Sequence, residues 1–144
     1  MKPALIDTDI LSLFLRNQSN VVKRFEEYLN EYEKIDFSIL TCYEILSGLK
    51  YKDAQKQLDS FLELTEHSSI LLATEDTMKI SAEIYSDLRK KGELIDDIDI
   101  LIAGIAKANN LVLVTHNRSH FERIMDLEIE DWNEEEEHSM DSSD

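Results

Sequence analysis

Three acidic residues of this chain stand within apolar segments, where carboxylates are uncommon. Asp7 directly follows the apolar run Ala-Leu-Ile, Glu44 lies within residues 40–48, and Asp99 lies within residues 98–106. A buried carboxylate is costly unless it is protonated, paired or bound to a cation. Carboxylate oxygens without His or Cys ligands suit a hard cation such as Mg²⁺ or Mn²⁺. The three acids therefore predict one divalent-metal site.

A metal held by carboxylates is suited to the hydrolysis of phosphate esters. The ion neutralises the charge that builds on the phosphate, and the acidic pocket can orient a water molecule for in-line attack. The ion also reverses the repulsion between the carboxylates and a polyanionic substrate. This pattern favours a nuclease whose substrate binding depends on the metal.

Each of these acids also has a structural interpretation. Thr41 and Glu44 have the spacing of a capping box, in which Glu44 would bond to the start of a helix. Similar helix-capping roles are open to several aspartates, namely Asp7, Asp9, Asp96 and Asp97. Asp99 fits no such role, and a function is favoured there.

Other polar residues carry weaker signals. The four histidines, His67, His116, His120 and His138, show no spacing typical of metal ligands. Ser119 and Glu122 have the spacing of a second capping box.

The composition indicates the class of protein. A chain of 144 residues fits one domain. The single Cys42 excludes a disulfide framework within the chain and a Cys-rich zinc site, which favours a reducing compartment. No apolar run is long enough to span a membrane, and the N-terminus lacks the apolar region of a signal peptide. We expect a soluble, cytoplasmic protein.

The charge of the chain is strongly negative. Its 31 acidic and 15 basic residues give a net charge of -16, which opposes loose binding to nucleic acid. Six of the acids lie in residues 133–144, so the rest of the chain carries about -10. We expect residues 1–132 to form the domain and residues 133–144 to be an acidic, disordered tail.

Short strand-like runs alternate with amphipathic helical patterns, which predicts a parallel sheet flanked by helices. The predicted strands are residues 4–6, 35–40, 69–72, 111–115 and 127–129. The predicted helices are residues 9–16, 21–31, 41–49, 53–63, 75–91 and 98–108. Thr74 is a good N-terminal signal for the helix that follows it.

The candidate residues share one edge of this predicted sheet. Ligands of an open parallel sheet bind beyond the carboxyl ends of the strands. Asp7 follows the first strand, Glu44 opens the helix after the second, and residues 115–117 follow the fourth. Asp99, at the start of its helix, can point to the same edge. We therefore expect Asp7, Glu44, Asp99 and Asn117 to converge.

Five segments of the chain, in order, resemble the PIN-domain ribonucleases and, among them, the VapC-type toxins of type II toxin–antitoxin modules. The segments are Leu5-Ile-Asp-Thr-Asp-Ile-Leu-Ser12, Thr41-x-x-Glu44-x-x-x-Gly48, Ile95-x-x-x-Asp99-x-Leu-Ile-Ala103, Leu113-Val-Thr-x-Asn117-x-x-x-Phe121 and Leu127-Glu-Ile-Glu-Asp-Trp132. Together they cover nearly the whole body and leave out the acidic tail.

The resemblance implies a single α/β domain with a PIN-domain-like parallel sheet flanked by helices. In that family pattern, Asp7, Glu44 and Asp99 would coordinate Mg²⁺ or Mn²⁺, and Asn117 stands where members carry a fourth acid or an Asn. The resemblance also implies cleavage of RNA, inhibition by a cognate antitoxin protein, and a homodimer.

The chain departs from the family pattern at two positions. Asp96 stands where Gly is common, so it either adds negative charge near the site or caps the helix. Asn117 lacks the charge of an acid, which bears on whether a second metal is held. Some residues can hold the metal ligands in position without binding the metal themselves, and the candidates for this role are Thr8, Thr115 and Asp96.

Two other functions remain open at this stage. Asp7-Thr-Asp9 after an apolar strand is similar to the Asp-x-Asp motif of haloacid-dehalogenase-like phosphatases, although no Gly-Thr follows Asp9 and the chain has little room for that family's later motifs. The other alternative is a non-enzymatic acidic binding module that mimics nucleic acid or docks a basic partner. Such a module would tolerate the loss of Asp99.

Overall fold

Five short strands form the centre of the fold: β1 (Ala4–Ile6), β2 (Asp36–Ser38), β3 (Ser69–Leu71), β4 (Val112–Val114) and β5 (Ile129–Glu130). Every adjacent pair is parallel, and the strand order is β3-β2-β1-β4-β5. The computed structural model describes residues 1–134. The predicted fold class, a parallel sheet flanked by helices, is confirmed.

Seven helices connect these strands within residues 1–134. They are α1 (Thr8–Leu15), α2 (Ser19–Tyr32), α3 (Ile39–Tyr51), α4 (Gln55–Glu66), α5 (Glu75–Lys90), α6 (Asp97–Ala108) and α7 (Arg118–Phe121). The six helices expected from periodicity are present, with ends shifted by up to three residues. The one-turn α7 is too short for its periodicity to be recognised in the sequence.

The central strand β1 separates two apolar cores. Alternate residues of a strand point to opposite faces of the sheet. Ala4 and Ile6 join the core that contains Phe25 and Trp132, whereas Leu5 joins the core that contains Ile102. Burial on both faces explains why β1 is a continuous apolar run. Such a strand holds the residue that follows it firmly in place.

The second strand is shorter than the sequence predicts, because Ser38 begins the next helix. Its side chain accepts a hydrogen bond from the Thr41 amide at 3.0 Å and forms the N-cap of α3. The predicted capping box of Thr41 and Glu44 is therefore wrong. Glu44 lies in the second turn of α3 and is free for another role.

Of two other predicted helix caps, one is present in the structure and one is not. Thr74 caps α5 as expected, and it forms a capping box with Thr77. The predicted box of Ser119 and Glu122 is wrong, because α7 begins at Arg118 and its N-cap makes no side-chain bond.

The structure bears on the expected absence of a membrane-spanning segment and on the expected acidic tail. No helix within residues 1–134 is long and apolar enough to cross a membrane. The expected acidic tail lies mostly outside the described residues. Its first two residues touch the body: the Asn20 side chain donates to the Asn133 carbonyl at 2.9 Å, and Arg118 lies 3.9 Å from Glu134.

Gly104 controls how closely α6 packs on α5, and thereby the position of the acid-bearing end of α6. A Cβ at Gly104 would lie 2.0 Å from Ser81 Oγ and 3.1 Å from the Thr77 carbonyl oxygen. Gly48 is also helical, yet a Cβ there would meet nothing within 4 Å.

We predict that Gly104→Ala destabilises the protein by about 1–3 kcal/mol, because the backbone of α5 must move to relieve the overlap. Gly48→Ala is the matched control and should stabilise the protein by about 1 kcal/mol through helix propensity. Urea denaturation measures both values. Equal effects of the two substitutions would show that the close approach of α5 and α6 is not rigid.

Candidate functional site

The three candidate acids lie at the carboxyl edge of the sheet, as the sequence predicts. Asp7 directly follows β1 and is the N-cap residue of α1. Glu44 lies in the second turn of α3, and Asp99 lies in the first turn of α6. Their charges act on one another, since Asp99 helps to raise the pKa of Asp7, and Glu44 helps to raise the pKa of Asp99. The acids therefore form one electrostatic cluster.

Asp7 is the most deeply buried member of the cluster, with 5% of its surface exposed. Its carboxylate accepts hydrogen bonds from the Thr8 amide at 2.8 Å and from the Thr115 hydroxyl at 2.7 Å. Burial, and after it the charge of Asp9, raise the pKa of Asp7 to about 7. The two hydrogen bonds lower the pKa but do not offset burial. A nearby cation would relieve this cost.

Glu44 is held towards Asp7 by a threonine. The Thr8 hydroxyl donates to Glu44 Oε1 at 2.6 Å, and the same hydroxyl lies 3.0 Å from Thr41 Oγ1. Thr8 therefore links the start of α1 to α3 and orients the Glu44 carboxylate. Both threonines proposed as supporting groups, Thr8 and Thr115, thus contact candidate ligands.

Asp99 is more accessible than its apolar neighbours suggest. Its side chain retains 21% exposure, although the following residues Ile102 and Ala103 are fully buried. Partial burial raises the pKa of Asp99, and the charges of Asp96 and Glu44 add to the effect. Asp96 occupies the N-cap position of α6 without a side-chain cap bond. Its carboxylate therefore acts on the cluster through charge rather than as a cap.

Asn117 lies at the same edge but makes no direct bond to the three acids. Its amide N–H donates to Thr115 Oγ1 at 3.0 Å, and its side-chain nitrogen lies 2.8 Å from His120 Nδ1. The same ring nitrogen of His120 lies 3.6 Å from Asp99 Oδ2. Asn117 is therefore connected to the cluster through Thr115 and His120.

Two neighbours of the cluster, Asp9 and His116, were not among the predicted site residues. Asp9 accepts hydrogen bonds from its neighbour Ile10 and from the His116 amide, and burial raises the pKa of its carboxyl. His116 in turn lies 2.8 Å from the buried Asp131. The Asp-x-Asp spacing marked Asp9, but the pairing of His116 with Asp131 is a tertiary contact that no local spacing reveals.

The donor set is suited to a hard divalent cation, although the acids are not arranged as a complete metal site. Within residues 1–134, no three His, Cys, Asp or Glu side chains stand as they would around a bound ion. The cluster does provide several carboxylate oxygens. In addition, burial and repulsion between the acids raise the pKa values of Asp7 and Asp99. Both properties favour binding of a cation.

The raised pKa of Asp7 predicts a specific dependence of stability on pH. Because its pKa in the folded protein lies above the value of 3.8 in an unfolded chain, its stabilising contribution is complete below about pH 4. That contribution is lost as the pH rises through about 7. The metal-free protein should therefore carry its largest destabilisation from Asp7 in mildly alkaline solution.

Asp7→Asn should stabilise the metal-free protein at about pH 8 by on the order of 2–4 kcal/mol, because it removes the buried charge. The gain should vanish at about pH 4, where Asp7 is protonated in both states. Chemical denaturation in the presence of a chelator measures the difference at both pH values. An equal effect at the two pH values would mean that the charge of Asp7 is not responsible.

Comparison with known proteins identifies the family of the chain. The PIN domain model matches residues 4–127. Ribonuclease VapC1 of Methanocaldococcus jannaschii is 33% identical over 123 residues, which cover 85% of this chain and 82% of the relative. Ribonuclease VapC1 of Haemophilus influenzae is 29% identical over 129 residues, which cover 89% and 96%.

A solved structure has the same fold. The crystal structure of DNA-bound VapBC from Salmonella typhimurium aligns with a TM-score of 0.81 and 26% identity, and the alignment covers 92% of this chain and 99% of that chain. The family model spans every strand but β5 and reaches all three candidate acids. The chain therefore belongs to the PIN-domain family, as the five sequence segments predicted.

Proposed function

We propose that this protein is a metal-dependent endoribonuclease and the toxin of a toxin–antitoxin pair. The observation that carries the proposal is the buried carboxylate of Asp7, joined electrostatically to Asp99 and, through Thr8, to Glu44 at the carboxyl edge of a PIN-domain sheet. The ribonuclease names of the relatives, which align over most of their length, support an activity on RNA.

We assign Asp7, Glu44 and Asp99 as the ligands of Mg²⁺ or Mn²⁺, with Asn117 as an additional polar group at the catalytic edge. Oxygen donors without sulfur or imidazole fit either ion. When bound, such an ion supplies charge neutralisation at the scissile phosphate and lowers the pKa of a coordinated water.

The chain's own residues prepare this chemistry. Thr115 donates to one carboxylate oxygen of Asp7, and each oxygen of the group retains lone-pair capacity for a further contact. Thr8 fixes the Glu44 carboxylate in the same way. His120 borders Asp99, and Asn117 contacts His120, so both add polar groups beside the proposed ligand. These contacts limit the rotation of the ligands and so reduce the entropy lost on binding.

The alternative functions are less well supported. A phosphatase of the haloacid-dehalogenase type would use Asp9 beside Asp7, but both oxygens of Asp9 already accept backbone amides from Ile10 and His116. A purely acidic binding module gives no reason to bury Asp7 at a sheet edge.

Three substitutions test the proposed active site. Asp7→Asn, Glu44→Gln and Asp99→Asn should each lower the rate of RNA cleavage by at least about 100-fold, because each removes a ligand charge while it keeps the shape. Cleavage of pooled bacterial RNA is measured with Mg²⁺, with Mn²⁺ and with a chelator. Circular dichroism checks that each variant is folded.

Asp97→Asn is the matched control, since Asp97 is an exposed acid in the same first turn of α6. It should retain cleavage. Full activity of Asp99→Asn, or cleavage by the wild-type protein that is unaffected by chelation, would contradict the proposed function.

We further propose that a cognate antitoxin inhibits the enzyme by placing an Arg or Lys against the acidic cluster. Structures of VapBC pairs align with this chain over nine-tenths of its length or more. A guanidinium offers bidentate hydrogen bonds to carboxylates, so it can replace the cation. The negative charge of the chain would speed the encounter with a basic segment.

Association with the antitoxin should slow as salt is added, and replacement of its basic residues at the site by Ala should weaken inhibition by at least about tenfold. Stopped-flow binding and inhibition of RNA cleavage measure the two effects. Inhibition that is insensitive to those replacements would show that the antitoxin acts elsewhere on the surface.

The homodimer and the cytoplasmic location expected from the sequence stay predictions. Exposed apolar side chains near the start of α3 and after β3, namely Ile39, Tyr43 and Leu72, provide a surface that a second copy could cover. Action on cellular RNA is consistent with the cytoplasm, and the single half-buried Cys42 suits a reducing compartment.

A further inference from the structure

A groove begins beside the acidic cluster and runs between α1 and α3. It has a cavity volume of about 120 Å³, and Thr8 and Glu44 line one part of it. Arg16 and Lys52 line another part. The groove therefore connects the proposed active site to two basic side chains.

The spacing of the lining residues shows that the groove follows both helices. Thr8, Ser12 and Arg16 are four residues apart on and just after α1. On the other wall, Glu44, Gly48 and Lys52 have the same spacing along α3. Residues four apart lie on one helix face, and eight residues rise about 12 Å. The two cations thus lie about 12 Å along the helices from the Thr8–Glu44 contact.

Both cations are available to a ligand. Neither the Arg16 guanidinium nor the Lys52 ammonium forms a hydrogen bond or ion pair with any residue in the range 1–134. Both side chains are exposed. Both therefore lie beside one groove of a chain whose net charge is -16. Their free donors can form charge-assisted hydrogen bonds with phosphate oxygens.

Gly48 gives a second, independent sign that the groove is used. A glycine inside a helix costs about 1 kcal/mol relative to alanine. No packing reason exists, because a Cβ at Gly48 would meet nothing within 4 Å. The missing side chain instead keeps the groove open midway between Glu44 and Lys52.

We propose that this groove binds the phosphodiester backbone of single-stranded RNA next to the bond that is cleaved, with Arg16 and Lys52 as positioning residues. The inference rests on the proposed function and adds the path of the substrate to it. The two cations suit the phosphates of a single-stranded backbone, and Leu15, Ile45 and Leu49 also line the groove. A basic antitoxin segment is a poorer occupant, because Arg16 and Lys52 would repel it.

Kinetics of RNA cleavage test the two cations. Arg16→Gln and Lys52→Gln should each raise the apparent KM for pooled bacterial RNA about fivefold, with kcat changed less than about twofold at saturating Mn²⁺. Each should also reduce the slope of log(1/KM) against log salt by about 0.7. Lys34→Gln is the control, since Lys34 is exposed at the opposite end of β2, and it should change neither value.

Filling the groove gives a test that is independent of charge. Gly48→Leu should raise the apparent KM about tenfold while the melting temperature stays equal to or above that of the wild-type protein. Gly48→Ala, which adds only a Cβ, should show a much smaller increase in KM. This comparison separates obstruction of the groove from damage to the fold.

The outcomes distinguish the inference from the proposed function. If the wild-type protein cleaves RNA but the Arg16, Lys52 and Gly48→Leu variants keep its KM and salt slope, the groove is not the RNA path and the inference is wrong. If those variants lose affinity only for the antitoxin, the groove belongs to a protein partner, which also overturns the inference. Failure of the wild-type protein to cleave RNA with either metal would reject the proposed function itself.

Discussion

The burial of the Asp7 carboxylate is the constraint on which the site depends. The central strand β1 is covered on both faces, so the residue that follows it emerges from the core with little freedom. Its carboxylate receives two hydrogen bonds, yet burial still raises its pKa to about 7. A protein gains nothing in stability from such a group. We propose that a cation beside the carboxylate offsets this cost.

The other parts of the site are arranged around that carboxylate by parallel topology. The carboxyl ends of adjacent strands meet at one edge, so the elements that follow β1, β2 and β4 begin close together. A single hydroxyl, that of Thr8, then joins α1 to the Glu44 carboxylate on α3. The same two helices continue away from the acids and end near Arg16 and Lys52. One pair of helices thus holds two of the three proposed catalytic acids, Asp7 and Glu44, and also lines the proposed path of the substrate.

The sequence was informative where the signal is local. Alternating apolar and amphipathic runs predicted the strands and helices, and acids in apolar settings identified Asp7 and Asp99. Prediction from the sequence failed where two nearby residues offered the same local signal. It also failed where a contact joins residues on different elements of the fold. Ser38 rather than the predicted box at Thr41 caps α3, because either hydroxyl fits the sequence signal. The approach of His120 to Asp99 depends on the packing of α7 against α6, which no spacing encodes.

Diffraction from crystals soaked in Mn²⁺ tests the central claim most directly, because anomalous scattering locates the ion without reference to activity. The account predicts an anomalous peak within about 2.5 Å of carboxylate oxygens from Asp7, Glu44 and Asp99. It also predicts that the peak disappears in Asp99→Asn crystals. A well-occupied ion at another place, such as His116 and Asp131, with the three acids left unoccupied would contradict the account.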